Sequence, residues 1–149
     1  MRPDQHAFHG LLHSAALIEQ EQRRQLKPLG ILPRQARVLE AIGRMGPVSQ
    51  TGLASAFGVT SASMSTMTGR LLHAGLITRA VDPNSRRQNV VELTPRGKTM
   101  LDGICEAWSE VDRRIHEVLG KDAEAFLLTA RRLRDNLGGK VPGAERAQD

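Results

Sequence analysis

The chain holds one cysteine, one tryptophan, three phenylalanines and no tyrosine in 149 residues. A lone Cys105 excludes an internal disulfide framework and any zinc site built from several cysteines of one chain. Cysteine use this sparse fits a reducing compartment, so a cytoplasmic location is expected. So few aromatics leave little platform for stacking unpaired bases, which sets aside the common single-strand binders. No apolar run reaches the ~18 residues that a bilayer-spanning helix needs. Met1 to Gly10 lacks the basic-then-apolar order of a secretion signal. Also missing are a Ser-His-Asp pattern, a phosphate-cradling glycine loop and paired catalytic carboxylates. No enzyme is therefore expected, and with it no catalytic residue, metal or cofactor.

What is present is the composition of a folded domain: 40% hydrophobic and 25% charged residues, too apolar for a disordered chain. Lys and Arg number 21 against 16 acids, a formal charge of +5. Such a balance favours an anionic partner.

Periodicity divides the chain. Phe8, Leu11, Leu12, Ala15, Ile18 and Gln22 recur at three and four residues, predicting a helix over Ala7–Gln25 that Pro28 and Gly30 stop. A second helix opens at Pro33 and runs through Ile42 to Gly46-Pro47. Ser49 caps a short helix, Gln50–Phe57; Thr60 caps the next, Ser61–Ala74, which Gly75 ends. Two helices joined by Gly58-Val59-Thr60 form a helix-turn-helix signature. The pattern then turns extended. Leu76–Thr78 and Val90–Leu93 predict a hairpin with a long tip that carries Asp82, Arg86 and Arg87. Thr94-Pro95 starts a helix reaching Leu119, about 37 Å long at ~1.5 Å per residue and longer than a small domain needs for its own core. Asp122 is expected to cap the last helix, whose apolar set is Phe126, Leu127, Ala130, Leu133 and Leu137. Lys140 to Asp149 reads as a frayed polar tail.

Three segments resemble the MarR family of winged-helix transcriptional regulators. LPRQARVLEAI (Leu32–Ile42) is similar to its second helix. VSQTGLASAFGVTSASMSTMTGRLLHAGLITR (Val48–Arg79) is similar to its helix-turn-helix. DPNSRRQNVVELTPRG (Asp82–Gly97) is similar to its wing. Leu32 and Gly52 depart from the family's usual polar cap and Glu. The resemblance implies a mostly α, winged helix-turn-helix fold flanked by dimerisation helices. The expected divisions are 1–30 (N-terminal dimerisation helix), 31–98 (DNA-binding region), 99–138 (C-terminal dimerisation helices) and 139–149 (polar tail). It also implies that one wing arginine enters the minor groove and that Asp82 braces the wing by an ion pair. The residues alone equally allow Asp82 to be an Asx-turn residue.

On the second helix of the motif, Met64, Met67, Thr68 and Leu71 should face inward. Ser61, Ala62, Ser63, Ser65, Thr66, Gly69 and Arg70 should face outward. That face carries no acid to repel a phosphate, and its small hydroxyl side chains allow close approach to base edges. A merely polar surface is the plainer alternative. From Arg70 to Lys98, six cations (Arg70, Arg79, Arg86, Arg87, Arg96, Lys98) stand against Asp82 and Glu92, an excess of four. Basicity is thus concentrated where groove-reading elements fall. The expected DNA contacts are Ser61, Ala62, Ser63, Ser65, Thr66, Arg70, Arg86 and Arg87. The expected partner is double-stranded DNA, bound by a homodimer on a pseudopalindromic site, with Phe8, Leu12, Trp108, Ile115, Phe126 and Leu133 in or near the dimer core.

The resemblance further implies a repressor released by a small-molecule effector, often an aromatic acid, bound between the dimer helices and the winged helix. His9, His13, Arg37, Met45 and Met67 are the candidate liners. Cys105 reads as an inert core residue rather than a redox sensor. His6, His9 and His13, with His116, read as surface or pocket histidines rather than a zinc site. The alternative to a ligand-controlled regulator is a winged helix used for protein contact or for non-specific DNA binding.

Overall fold

The computed structural model describes residues 6–144, with backbone only at 86–88. Among the described residues lie six α-helices, two short 3-10 turns and one three-stranded antiparallel sheet: α1 (Phe8–Leu26), α2 (Pro33–Met45), β1 (Val48–Ser49), α3 (Gln50–Phe57), α4 (Ser61–His73), β2 (Ile77–Asp82), β3 (Ser85–Leu93), α5 (Pro95–Leu119) and α6 (Ala123–Asn136). The strand order is β1-β3-β2. No described helix is long and apolar enough to cross a membrane.

The boundaries follow local chemistry. Ser49, Thr60 and Thr94 each accept a hydrogen bond from a backbone N–H of the helix they open, at Gly52, Ser63 and Gly97. At α2 only the reciprocal half of a capping box forms: the Leu32 N–H donates to the Gln35 side chain at 3.2 Å, while the apolar Leu32 side chain accepts nothing from the first turn. Asp122 makes no cap bond. It lies in a turn of 3-10 helix before α6, because its αR backbone does not aim the carboxylate at the following N–H groups.

Two findings revise the expected hairpin. Strand pairing runs from Ile77↔Leu93 to Asp82↔Ser85, so the tip shrinks to Pro83-Asn84, and Arg86 and Arg87 lie within β3 instead of at the tip. β1 was not evident in the sequence. Its two residues pair with Val90 and Val91 of β3 and seat Val48 in the core.

The core gathers Leu26, Val38, Leu39, Ile42, Leu53, Met64, Leu71, Val91 and Ile104, with Trp108 packed against it. α5 joins the winged body at a tight spot. A Cβ on Gly97 would stand 2.0 Å from the Leu76 carbonyl oxygen, and Thr94 Oγ1 donates to the Gly75 carbonyl at 2.7 Å. The division expected at 98/99 falls inside the unbroken α5.

The stretch after α6 is not a loose polar tail. Gly139 N–H donates to the Arg134 carbonyl at 2.9 Å, a reversal that turns the chain back, and Ala144 N–H donates to Val141 at 3.1 Å. This Pro142-Gly143 turn lies against the end of α2, with Pro142 buried and Gly143 beside Met45. Residues 145–149 of the expected tail lie outside the described residues.

Candidate nucleic-acid interface

The helix-turn-helix is held by a polar clamp. Thr68, fully buried on α4, donates to the Met64 carbonyl at 3.0 Å and accepts from Gln50 Nε2 at 2.5 Å. Gln50 opens α3, so this bond fixes the angle between the two helices. Nothing local to Gln50 signalled the role, since its partner lies 18 residues away.

The outer face of α4 is as expected. Met64, Met67, Thr68 and Leu71 are buried, whereas Ser61, Ala62, Ser65, Thr66 and Arg70 are exposed and Ser63 is half-buried. The hydroxyls differ in one respect. Thr66 Oγ1 donates to the Ala62 carbonyl at 3.1 Å, so its donor is spent inside the helix. Ser61, Ser63 and Ser65 have no such side-chain bond among the described residues and keep their donors. With no acid in the first turn, the helix start presents backbone N–H groups and a positive dipole end to an approaching phosphate.

Beside α4 lies the β2–β3 ribbon. Asp82 Oδ1 accepts from the Asn84 N–H at 2.9 Å, the Asx-turn alternative, and thereby shapes the two-residue tip. The side chains of Arg86 and Arg87 lie outside the described residues, and with them the ion-pair brace. Arg79 is exposed on β2.

The opposite end of the molecule is apolar and open. α1 buries only Leu26 and α6 only Ala123. Phe8, Leu11, Leu12, Leu17, Val118, Phe126, Leu128, Leu133 and Leu137 are exposed, from 41% to 78% of their surface. Leu17, Ile18, Ile115, Val118 and Phe126 line one groove of about 390 Å³ between α1, α5 and α6. Glu21 lies on its edge, where hydrogen bonds from Arg24 and Gln25 hold its carboxyl below the ordinary carboxylate range. Trp108, expected in or near a dimer core, is half-buried and packs on the core of its own chain.

A second cavity, also about 390 Å³, lies between α1, α2, α5, the end of α6 and the segment after it. Gln22, Arg37, Arg44, Trp108, Asp112, Arg134 and Val141 line it. The Trp108 indole N–H is buried without a hydrogen-bond partner among the described residues. Arg44 is paired with Glu40 at 2.5 Å and Arg134 with Asp135 at 2.8 Å; Arg37 has no ion pair among the described residues. Of the five expected effector liners the structure brings only Arg37 here. His9 and His13 are exposed on the first turns of α1, with the His9 ring 4.4 Å from that of Phe8. Met67 faces the core, one helical step from Met64. Met45 packs at the end of α2.

Among the described residues no three His, Cys, Asp or Glu side chains converge as metal ligands. His116 Nδ1 lies 3.0 Å from the Asp112 carbonyl of its own helix. Cys105 is exposed and not a core residue: it falls on the outer side of α5, next to the buried Ile104.

Comparison with known proteins agrees with this geometry. Residues 29–88 match the model of the MarR family. The multiple antibiotic resistance protein MarR of Salmonella typhimurium is 33% identical over 101 residues, 67% of each chain. Among solved structures, the transcriptional repressor CouR bound to a 23-mer DNA duplex superposes with a TM-score of 0.79 at 21% identity, covering 89% of this chain and 97% of that one. An E. coli MarR mutant complexed with operator DNA gives 0.74 at 22% identity over 85% and 91% of the two chains. The chain therefore belongs to the MarR family of winged helix-turn-helix transcriptional regulators, non-enzymatic proteins that bind DNA.

Proposed function

We propose that the protein is a homodimeric, sequence-specific repressor acting in the cytoplasm, released from a pseudopalindromic operator by a small organic acid. The observation that carries the DNA reading is the outer face of α4. It has free serine hydroxyls, no acid and a clamped orientation, beside a ribbon whose sequence holds two arginines. Ser61, Ser63 and Ser65 reach base edges in the major groove, Ala62 and Thr66 pack against bases, and Arg70 with the wing arginines engages phosphates or the minor groove. The DNA-bound MarR and CouR structures support this docking.

The terminal helices support the two-copy reading. A 14-residue helix that buries a single alanine cannot hold its shape in water on its own propensity, and an apolar patch of this extent marks an interface. A second copy covering α1 and α6 satisfies both and sets two reading helices about one DNA turn apart.

The effector binds the cavity beneath Trp108. An unpartnered buried donor costs about 1–3 kcal/mol, which an acceptor oxygen removes. Arg37 supplies a cation that has no ion pair among the described residues, and the indole supplies a flat wall. A carboxylate on a planar body fits both.

Selection of bound fragments from genomic DNA, followed by release with candidate aromatic acids, tests the reading. Enrichment of one inverted-repeat site, and loss of binding with an acid that quenches Trp108, is expected. Retention of random duplex without enrichment would overturn it.

A further inference from the structure

We propose that a cleft at the C-terminal end of α4, walled by Arg70 and Arg96, seats one phosphate of the DNA backbone, which makes Arg96 a DNA-binding residue. The proposal rests on the docking of α4 in the major groove and extends the interface from the reading helix to the start of α5.

The cleft has a volume of about 190 Å³ and lies between the turn after α1, the first turn of α2, the end of α4 and the start of α5. Its floor is apolar, formed in part by the buried Ile31, Leu71 and Leu76. Its polar wall is Arg70, Arg96 and Gln35, and no acid lines it among the described residues. Both arginines are exposed, and neither has an ion pair among the described residues. Gln35 accepts from the Leu32 N–H through Oε1, which leaves its Nε2 group as a donor. Guanidinium forks match phosphate oxygens, and an apolar floor limits the water that would screen the pairing.

Arg96 is held in place by its surroundings. Thr94 Oγ1 donates to the Gly75 carbonyl at 2.7 Å, and the Thr94 N–H donates to the Leu76 carbonyl at 3.1 Å. Arg96 Cδ would stand 4.0 Å from a Cβ on Gly75, so the side chain lies along the turn that ends α4. The last carbonyls of a helix repel an anion. Here those of Arg70, Leu71 and Leu72 accept from the N–H groups of Ala74, Leu76 and Gly75.

The cleft also falls where a phosphate should be. Ser63, Thr66 and Arg70 follow one another at three and four residues, a single stripe of α4. Arg70 stands about 10 Å beyond Ser63 along the helix axis. The major groove is about 12 Å wide, so a helix whose first turns meet base edges brings Arg70 to the rim, where the phosphates run. Arg96 closes the other side of the same cleft.

Fluorescence anisotropy with the full-length protein, repeated over a range of salt, tests the site. A phosphate contact carries no sequence information, so Arg96→Gln is expected to weaken operator and random duplex alike, about three-fold or more, and to lower the slope of log affinity against log salt by about one per protomer. Arg96→Lys, which keeps the charge, should hold the wild-type slope. Replacing operator phosphates singly by neutral methylphosphonate locates the partner: one position per half-site should weaken the wild type more than it weakens Arg96→Gln. A wild-type slope in Arg96→Gln, beside a lowered slope in Arg70→Gln, overturns the site and leaves the docking of α4 standing. Wild-type slopes in both variants overturn the docking, and the site with it. Urea midpoints at the wild-type value establish that the variants are folded; Arg96→Ala takes the place of Arg96→Gln if that midpoint falls.

Discussion

At the scale of single residues, the reading face separates side chains that look alike in the sequence. Four hydroxyls lie on the outer side of α4, and the sequence offers no ground for ranking them. The backbone does. Thr66 is committed to the Ala62 carbonyl and can offer DNA only a methyl group and an acceptor lone pair, while Ser65 is free to donate. Replacing Ser65 by Ala should weaken binding to the selected operator three- to ten-fold, the equivalent of one hydrogen bond of about 1 kcal/mol. Thr66→Val should cost less than two-fold. Fluorescence anisotropy with labelled operator measures both, and equal losses would contradict the ranking. Gly97 is a second residue whose role is geometric. Its missing side chain lets α5 touch the Leu76 backbone. Gly97→Ala should lower stability by about 1–3 kcal/mol, as overpacking does, read as a shift in the urea midpoint at constant slope. A midpoint within error of the wild type would show that the contact relaxes freely.

At the scale of elements, the chain was legible where caps and stops are local. Ser49, Thr60 and Thr94 announce α3, α4 and α5, and the inward set of α4 follows from spacing alone. Legibility failed where partners are distant. β1 is two residues long, too short for any alternation, and exists only because β3 lies beside it. Asp82-Pro83-Asn84-Ser85 promised a wide tip, but pairing across Asp82 and Ser85 narrows it. Pro142 looks like tail composition until α2 is brought beneath it. The cavity at Trp108 was hardest of all to foresee, since its wall assembles from four separated segments. Trp108, Arg44, Arg134 and Val141 carry no local mark of lining one. The terminal helices carry the next prediction. Leu128 and Leu133 are exposed on α6 and do not belong to the buried core, so Leu128→Asp with Leu133→Asp should leave the winged body folded. The doubly substituted protein should sediment as a monomer at micromolar concentration, where the wild type sediments as a dimer. Sedimentation of both as dimers would place the interface elsewhere.

At the scale of the whole molecule, the two ends have opposite characters. Basic and hydroxyl groups collect around α4 and the β2–β3 ribbon, and uncovered leucines and phenylalanines collect on α1 and α6. α5 spans the two, locked to the winged body at Gly97 and lining the apolar groove at Ile115 and Val118. In the proposed dimer, a rigid strut of this kind would convert a change in how two copies meet into a change in the spacing of their reading helices, the differential affinity for two shapes through which an effector would act. Charge at the DNA end is testable by salt. Arg86→Ala and Arg87→Ala should each reduce the slope of log affinity against log salt by about one where the arginine meets a phosphate. Slopes equal to the wild type in both would remove the ribbon from the interface. The central claim is that two copies grip one duplex with paired reading helices. A hydroxyl-radical footprint on the selected operator examines it most directly. Protection of two symmetric patches about one helical turn apart is the predicted result; a single patch, or even protection along the whole duplex, would contradict it.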